Sequence, residues 1–399
     1  MLSEVNLYNE MTLFKLSMGY FNNSFLIFIS IYIPMLVMSV FLNVLEKNKG
    51  LITPKDNSDK AFKNNQKIVA VNEGYLPFYH PCETKRHARS SNIHPIGTIP
   101  NVKNYYCDEG YGLIKYKTDR FGLRNADQKW DKIINNNNIF IIGDSFIQGA
   151  CVPYKSTIPN NIQNLTNINT LNLGSSCNCP YEYSAILKSI VNPIISKSDK
   201  SNIVVLTFYD NDDVDPNLLD EKFINNLKDI ISLSSEGKVN PSKEYIDNIN
   251  NIIFKNYATK NKDIINEINN SQGKSNNSDF KSSLTYEIIS LYPIRGRLKK
   301  LFIRPPERSI ELLSRICSNK CKPYVAYIPN SSYWRPNPNS NLFKKRLENF
   351  TKRMDIKFID TENVIDKKSL KDFSPDGPHL SKEGYRKVAK YMSKYLLER

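Results

Sequence analysis

The chain has 399 residues, enough for one large domain or two modest ones, with 40% hydrophobic and 24% charged residues as in folded globular proteins. Its formal charge of +15 points to an anionic surface such as phospholipid or acidic polysaccharide. Nucleic acid is set aside as a partner, because the sequence has no zinc-finger spacing, no aromatic RNA-binding signature and no Walker loop.

In chain order, residues 1–23 form a tail. Ser24 to Val44 is uncharged and long enough to span a bilayer as one helix, the reading favoured over a buried core helix. A mid-helix Pro34 is tolerated there, and no small-residue signal-peptidase site follows. Lys47, Lys49, Lys55, Lys60, Lys63 and Lys67 follow it, against Lys15 with Glu4 and Glu10 before it. Taken alone, that bias places the rest of the chain in the cytoplasm. Residues 45–130 read as a polar linker (45–67) and a small Tyr-, Gly- and Pro-rich accessory region (68–130).

From residue 131 the pattern becomes αβ. Short β-branched or aromatic runs at Asn138–Gly143, Ile168–Leu173, Asn202–Phe208, Lys322–Ile328 and Asp355–Asp360 predict strands. Tyr181–Val191, Asn339–Met354 and Ser381–Leu397 predict helices between and after them. Such alternation implies a parallel sheet covered on both faces. A mostly helical insertion is expected at about 215–320. Within it, Arg295–Arg308 carries six basic residues against Glu307, either a docking site for anionic lipid or glycan or a solvated helix face.

The seven cysteines contain no C-x-x-C pair. Cys177 with Cys179 and Cys317 with Cys321 are close pairs, and Cys82, Cys107 and Cys151 complete the odd set. Spacing leaves the redox compartment open. His80, Cys82, His87 and His94 lack the tight ligand pairs of a zinc site.

Four places carry chemistry. The first strand runs into Gly143-Asp144-Ser145, which sets a hydroxyl at the carboxyl end of a parallel strand, where ligands bind. Taken alone, this serine is equally a helix N-cap. Asp376 and His379 lie three apart in the loop SPDGPHL, and His379 is the only histidine after residue 94. A general base needs a carboxylate to fix its tautomer, and this spacing offers one. Gly174 follows the second strand and Asn211 the third, positions suited to oxyanion donors or to an ordinary turn and helix cap.

In their order and local motifs, Ser145, Gly174, Asn211 and Asp376/His379 resemble the four blocks of the SGNH (GDSL) hydrolases. The likeness covers about residues 138–216 and 322–399. DRFGLRN (Asp119–Asn125) and GDSFIQGACV (Gly143–Val152) are similar to segments of a membrane-anchored bacterial subgroup associated with surface-polysaccharide modification. One departure is Tyr209, two residues before Asn211, where the family usually has glycine. The resemblance implies a flavodoxin-like three-layer α/β/α fold without metal or organic cofactor. It also implies a serine esterase or O-acyltransferase acting on acyl, most simply acetyl, esters of cell-surface carbohydrate. Ser145 would be the nucleophile, His379 the base and Asp376 its orienting acid. Ser145, Gly174 and Asn211 would form the oxyanion hole. The implied partners are an acylated glycan, membrane lipid through residues 24–44, and a membrane acyltransferase. The family habit puts the catalytic domain on the outer, periplasmic face, against the lysine bias. The competing expectation is a non-catalytic anchored module that binds glycan or scaffolds another enzyme.

Overall fold

A computed structural model of the chain describes residues 57–78, 95–209, 230–250, 306–334 and 340–398. The candidate span 24–44, the His80/Cys82/His87/His94 group, Asn211 and most of the 215–320 insertion lie outside these residues. Among the described residues no helix is long and apolar enough to cross a membrane. The chain divides into two units, Met1–Ala61 with Gly273–Phe302, and Phe62–Gln272 with Ile303–Arg399. Of the first, only residues 57–61 are described, the opening of helix α1 (Asn57–Asn72). The region read as a polar linker is therefore helical from Asn57 on. The rest concerns the second unit.

Three short strands come first: β1 (Leu76–Pro77), β2 (Lys103–Tyr105) and β3 (Lys115–Lys117). β2 pairs in parallel with β1 and antiparallel with β3. After β3, the segment Asp119–Asn125 turns on Gly122, whose φ is +78° and whose missing Cβ would stand 1.9 Å from the Thr98 carbonyl oxygen. Only glycine fits such a conformation at such an approach.

The central sheet is built from β4 (Asn138–Gly143), β5 (Asn169–Gly174), β6 (Asn202–Tyr209), β9 (Cys321–Ile328) and β10 (Lys357–Asp360), all parallel. Every residue of β4 and β6 is buried. A strand covered on both faces needs an unbroken apolar run, which is why these segments stood out in the sequence. The spatial order is β5-β4-β6-β9-β10. Counted among the parallel strands this is 2-1-3-4-5, the flavodoxin-like order.

Alternate strand residues feed two cores. Phe140, Ile142, Leu171, Leu173, Val204, Leu206, Val325 and Tyr327 face one layer of helices. It holds α4 (Pro180–Ile186), a π-helical turn (Leu187–Val191) leading into α5 (Asn192–Lys197), α7 (Glu307–Cys317) and α8 (Ser340–Arg353). Ile139, Ile141, Ile203, Val205, Ala326 and Ile328 face the other. That layer holds α2 (Ser145–Gln148), α3 (Ile158–Thr166) and α9 (Lys382–Leu397). Each fully buried aliphatic or aromatic side chain contributes about 1.5–3 kcal/mol. α9 starts at Ser381, whose hydroxyl accepts from Gly384 N, and buries Tyr385, Val388, Ala389, Met392 and Leu396 along one stripe against α3.

The described part of the insertion holds a short ribbon besides helix. It opens on an antiparallel ribbon, β7 (Ile231–Leu233) and β8 (Val239–Pro241), before the short α6 (Lys243–Ile249). Helix α7 at its far end belongs to the sheet's own covering layer. The disulfides differ in part from the close pairs in the sequence. Cys317 pairs with Cys321 as its spacing suggested, but Cys107 pairs with Cys151, 44 residues away. Cys177 is disulfide-bonded, while Cys179 keeps its thiol at the start of α4.

Candidate active site

The serine is presented by a very tight strand-to-helix turn. β4 ends at Gly143, and Asp144 caps α2 by accepting from Phe146 N at 2.9 Å. α2 is closed by Gly149 in the left-handed region. This short helix lies directly on two strand ends. Gly143 and Gly174 are register partners in β4 and β5. A Cβ on Gly143 would come within 2.4 Å of Ile147 Cγ1, and one on Gly174 within 2.5 Å of Gln148 N. Both glycines are therefore required by packing. Ser145, at the first position of α2, is half-buried. Its N–H has no carbonyl four residues back to bond, so it is a donor available at the helix start.

The histidine comes from the loop before α9. Phe373 and Leu380 form an antiparallel bridge, Ser374 N donates to the His379 carbonyl at 2.8 Å, and Ser381 N donates to the Asp372 carbonyl at 3.0 Å. The loop is thus clamped at its neck. His379 Nε2 lies 2.9 Å from Ser145 Oγ. Its Nδ1 lies 2.7 Å from Glu109 Oε1, and its backbone N–H donates to Glu109 Oε2 at 3.3 Å. The Glu109 side chain is 10% exposed and that of His379 16%. A carboxylate on Nδ1 places the proton there and leaves Nε2 to accept from the serine hydroxyl.

Glu109 sits in the loop between β2 and β3. Asp108 Oδ1 accepts from the N–H groups of Gly110, Tyr111 and Gly112, which folds the loop into a tight turn. Asp376 N donates to the Glu109 carbonyl at 3.3 Å, joining the two loops. Gly377 makes the passage for the carboxylate, since a Cβ there would stand 2.0 Å from Glu109 Cδ. Gly377→Ala should displace Glu109 from His379 Nδ1, with the circular dichroism spectrum unchanged, and an imidazole NMR signal that loses its hydrogen-bonded Nδ1 proton would read the displacement. An unchanged imidazole signal in that variant would show that the glycine is not needed.

The structure thus brings Ser145 and His379 together and sets Asp376 apart. The Asp376 side chain is exposed and makes no hydrogen bond to His379 among the described residues. Gly174 N–H donates to Asn172 Oδ1 at 3.0 Å, so in this arrangement it is not aimed at an oxyanion. Tyr209 is buried, its ring stacked 3.8 Å from Phe146 and its hydroxyl donating to Asn330 Oδ1. Phe146 in turn lies 5.0 Å from the His379 ring, so Tyr209 helps to wall the imidazole. The residue missed in the sequence is Glu109. Its one signal was an acidic pair in a Gly-rich stretch, C-D-E-G-Y-G, without a spacing relation to His379.

The segment Asp119–Asn125 braces the site from behind. Arg124 is 1% exposed, lies over the Tyr116 ring at 4.5 Å, and donates to the carbonyls of Gly149 and Val152. Burial lowers its pKa. Asn125 bonds the edge of β5 through Asn172 N and O. Glu109, Cys151 and His379 offer ligand atoms within 4.8 Å of one another, but Cys151 is disulfide-bonded and supplies no thiolate.

No family model matches the chain, and no curated protein matches it. Several solved structures do. One is a putative lipolytic protein of the G-D-S-L family from Desulfitobacterium hafniense, 15% identical, covering 65% of this chain and 99% of that one with a TM-score of 0.33. Another is a carbohydrate acetylesterase from Sinorhizobium meliloti, 11% identical over 65% and 98%, TM-score 0.34. A third is an aryl esterase from M. smegmatis, 10% identical over 65% and 98%, TM-score 0.34.

Proposed function

We propose that this chain is a serine-dependent ester hydrolase of the SGNH/GDSL kind, with Ser145, His379 and Glu109 as its triad. One observation carries the reading: a single imidazole joins the strand-end serine at 2.9 Å to a largely buried carboxylate at 2.7 Å. Ser145 Oγ attacks an ester carbonyl while His379 Nε2 takes its proton. Glu109 holds the Nδ1 proton and stabilises the imidazolium. The Ser145 N–H and the Asn211 amide are the proposed oxyanion donors. His379 then returns the proton to the leaving alkoxide, and water or a sugar hydroxyl resolves the acyl-enzyme.

The finer reading is an esterase or O-acyltransferase for acyl esters of cell-surface carbohydrate. It would be anchored through residues 24–44 with its catalytic unit outside the cytoplasmic membrane and would work beside a membrane acyltransferase. The carbohydrate substrate is supported by the resemblance of the sequence motifs.

The test is turnover of p-nitrophenyl acetate by the chain lacking residues 1–45, with a fluorophosphonate probe mapped by mass spectrometry. Turnover with the label on Ser145 is expected. A folded protein that neither turns over the ester nor takes the label would favour the non-catalytic anchored module. Adding acylated and free oligosaccharides then separates hydrolysis from transfer.

A further inference from the structure

We propose that the Cys107–Cys151 disulfide is a positioning element of the catalytic site, so that the enzyme is active in its oxidised form and loses activity when this bond is reduced. The inference deepens the triad reading and rests on it.

Catalytic parts of this site come from different regions of the chain. Ser145 belongs to the β4–α2 turn of the central sheet, whereas Glu109 belongs to the β2–β3 loop of the small sheet. The disulfide joins these two regions at the site itself. Cys107 lies two residues before Glu109, and Cys151 lies six after Ser145. Cys151 Sγ is within 4.8 Å of the ligand atoms of both Glu109 and His379.

Both ends of the link are set in hydrogen-bonded backbone. On the Cys151 side the chain is fixed by Arg124, which donates to the flanking carbonyls of Gly149 and Val152, and by Ala150 N donating to the Ser145 carbonyl at 2.9 Å. On the Cys107 side the loop is held by its own Asp108 turn, by backbone bonds of Tyr106 and Cys107 with Ile114, by the Tyr106 hydroxyl 2.6 Å from Ser176 Oγ, and by Asp376 N and His379 N, which donate to the Glu109 carbonyl and carboxylate. The Asp108 turn fixes the loop's shape but not its place over His379. Among these contacts the disulfide is the covalent tie between the Glu109 loop and the β4–α2 turn, and a shift of about 1 Å in a catalytic group can lower turnover by about 100-fold.

On reduction, the Sγ–Sγ bond breaks and takes up two electrons and two protons from a dithiol, which leaves as its own disulfide. Glu109 can then leave Nδ1. Such a site works where disulfides persist, in an oxidising compartment. That agrees with a catalytic unit outside the cytoplasmic membrane.

The test compares ester turnover by wild type, Cys107→Ser/Cys151→Ser, and the control Cys317→Ser/Cys321→Ser. Cys321 opens β9, at the amino end of the sheet away from Ser145, so the control should keep wild-type turnover. The Cys107/Cys151 pair should lose about 100-fold in kcat with little change in KM. The same pair of substitutions placed on Glu109→Gln should cost little more, because the link acts through Glu109. Equal losses on both backgrounds would overturn the proposal, as would full activity in the double-serine variant. If that variant does not fold, graded dithiothreitol treatment of the folded control replaces it, with thiols mapped by mass spectrometry and turnover read where 107 and 151 are reduced and Cys177 is not. Hydrogen exchange at Asp376 and His379, whose N–H groups donate to the Glu109 carbonyl and to its Oε2, reads the loop's place without any ester. Faster exchange after the bond is lost is expected, and unchanged exchange overturns the proposal even if no ester is ever turned over.

Discussion

Glu109→Gln should lower kcat for an activated ester by roughly 10³–10⁴-fold, while Asp376→Asn should leave it within about threefold of wild type. The amide is isosteric and keeps the packing against Gly377, so the loss reports charge and tautomer rather than a cavity. An amide at this position presents either a neutral oxygen or an NH₂ group to Nδ1. Neither stabilises the imidazolium that forms as Ser145 attacks. Asp376 is exposed and touches the site through its backbone N–H, which an Asn retains. Ser145→Ala, on the order of 10⁶-fold, sets the floor. Steady-state kinetics on the three variants decides the matter. A large loss in Asp376→Asn with near-normal Glu109→Gln would return the acid to the D-x-x-H loop.

The second large effect is on stability. Asp119→Asn should cost about 3 kcal/mol or more and lower the Tm by on the order of 10 °C. Asp119 is 1% exposed. Its Oδ1 accepts from Phe121 N at 2.9 Å and Leu123 N at 2.8 Å. Its Oδ2 accepts from Asn125 Nδ2 at 2.9 Å and Trp130 Nε1 at 2.8 Å. All four partners are N–H donors, so whichever way an amide is turned, its NH₂ meets two of them. Burial outweighs the lowering effect of these four bonds and leaves the carboxyl raised to about 6. At neutral pH it is therefore held as the anion that its surroundings are built to receive. Thermal unfolding monitored by circular dichroism measures the loss, and a Tm within about 2 °C of wild type would contradict this account. The same network orders Asn125 against β5 and sits beside Arg124, so the variant should also lose activity at temperatures where it is still folded.

The sequence by itself determined the parallel sheet. Strands buried on both faces must be continuous apolar runs, and NIFIIG and NIVVLTF could hardly be anything else in an αβ pattern. It also pointed to Ser145 and His379, because each sits in a short local signal: a strand running into G-D-S, and a lone histidine in a Pro- and Gly-rich loop before the last helix. Local signals cannot decide contacts made across the chain. The carboxylate on His379 is 270 residues away, in a region read as accessory, while Asp376 three residues away turns outward. Gly174 stands at a strand end where an oxyanion donor could sit, but the Asn172 side chain two residues earlier occupies its N–H, and what its position needs is the absence of a Cβ beneath Gln148. Cys107 found Cys151 rather than a neighbour in sequence because the folding of the small sheet onto the β4–α2 turn brings those two backbones within 5.0 Å, Cα to Cα. Hydrophobic periodicity is written residue by residue along the chain. Which carboxylate meets an imidazole, and which cysteine meets which, depends on how two loops from distant segments cross, and only the packed structure fixes that crossing.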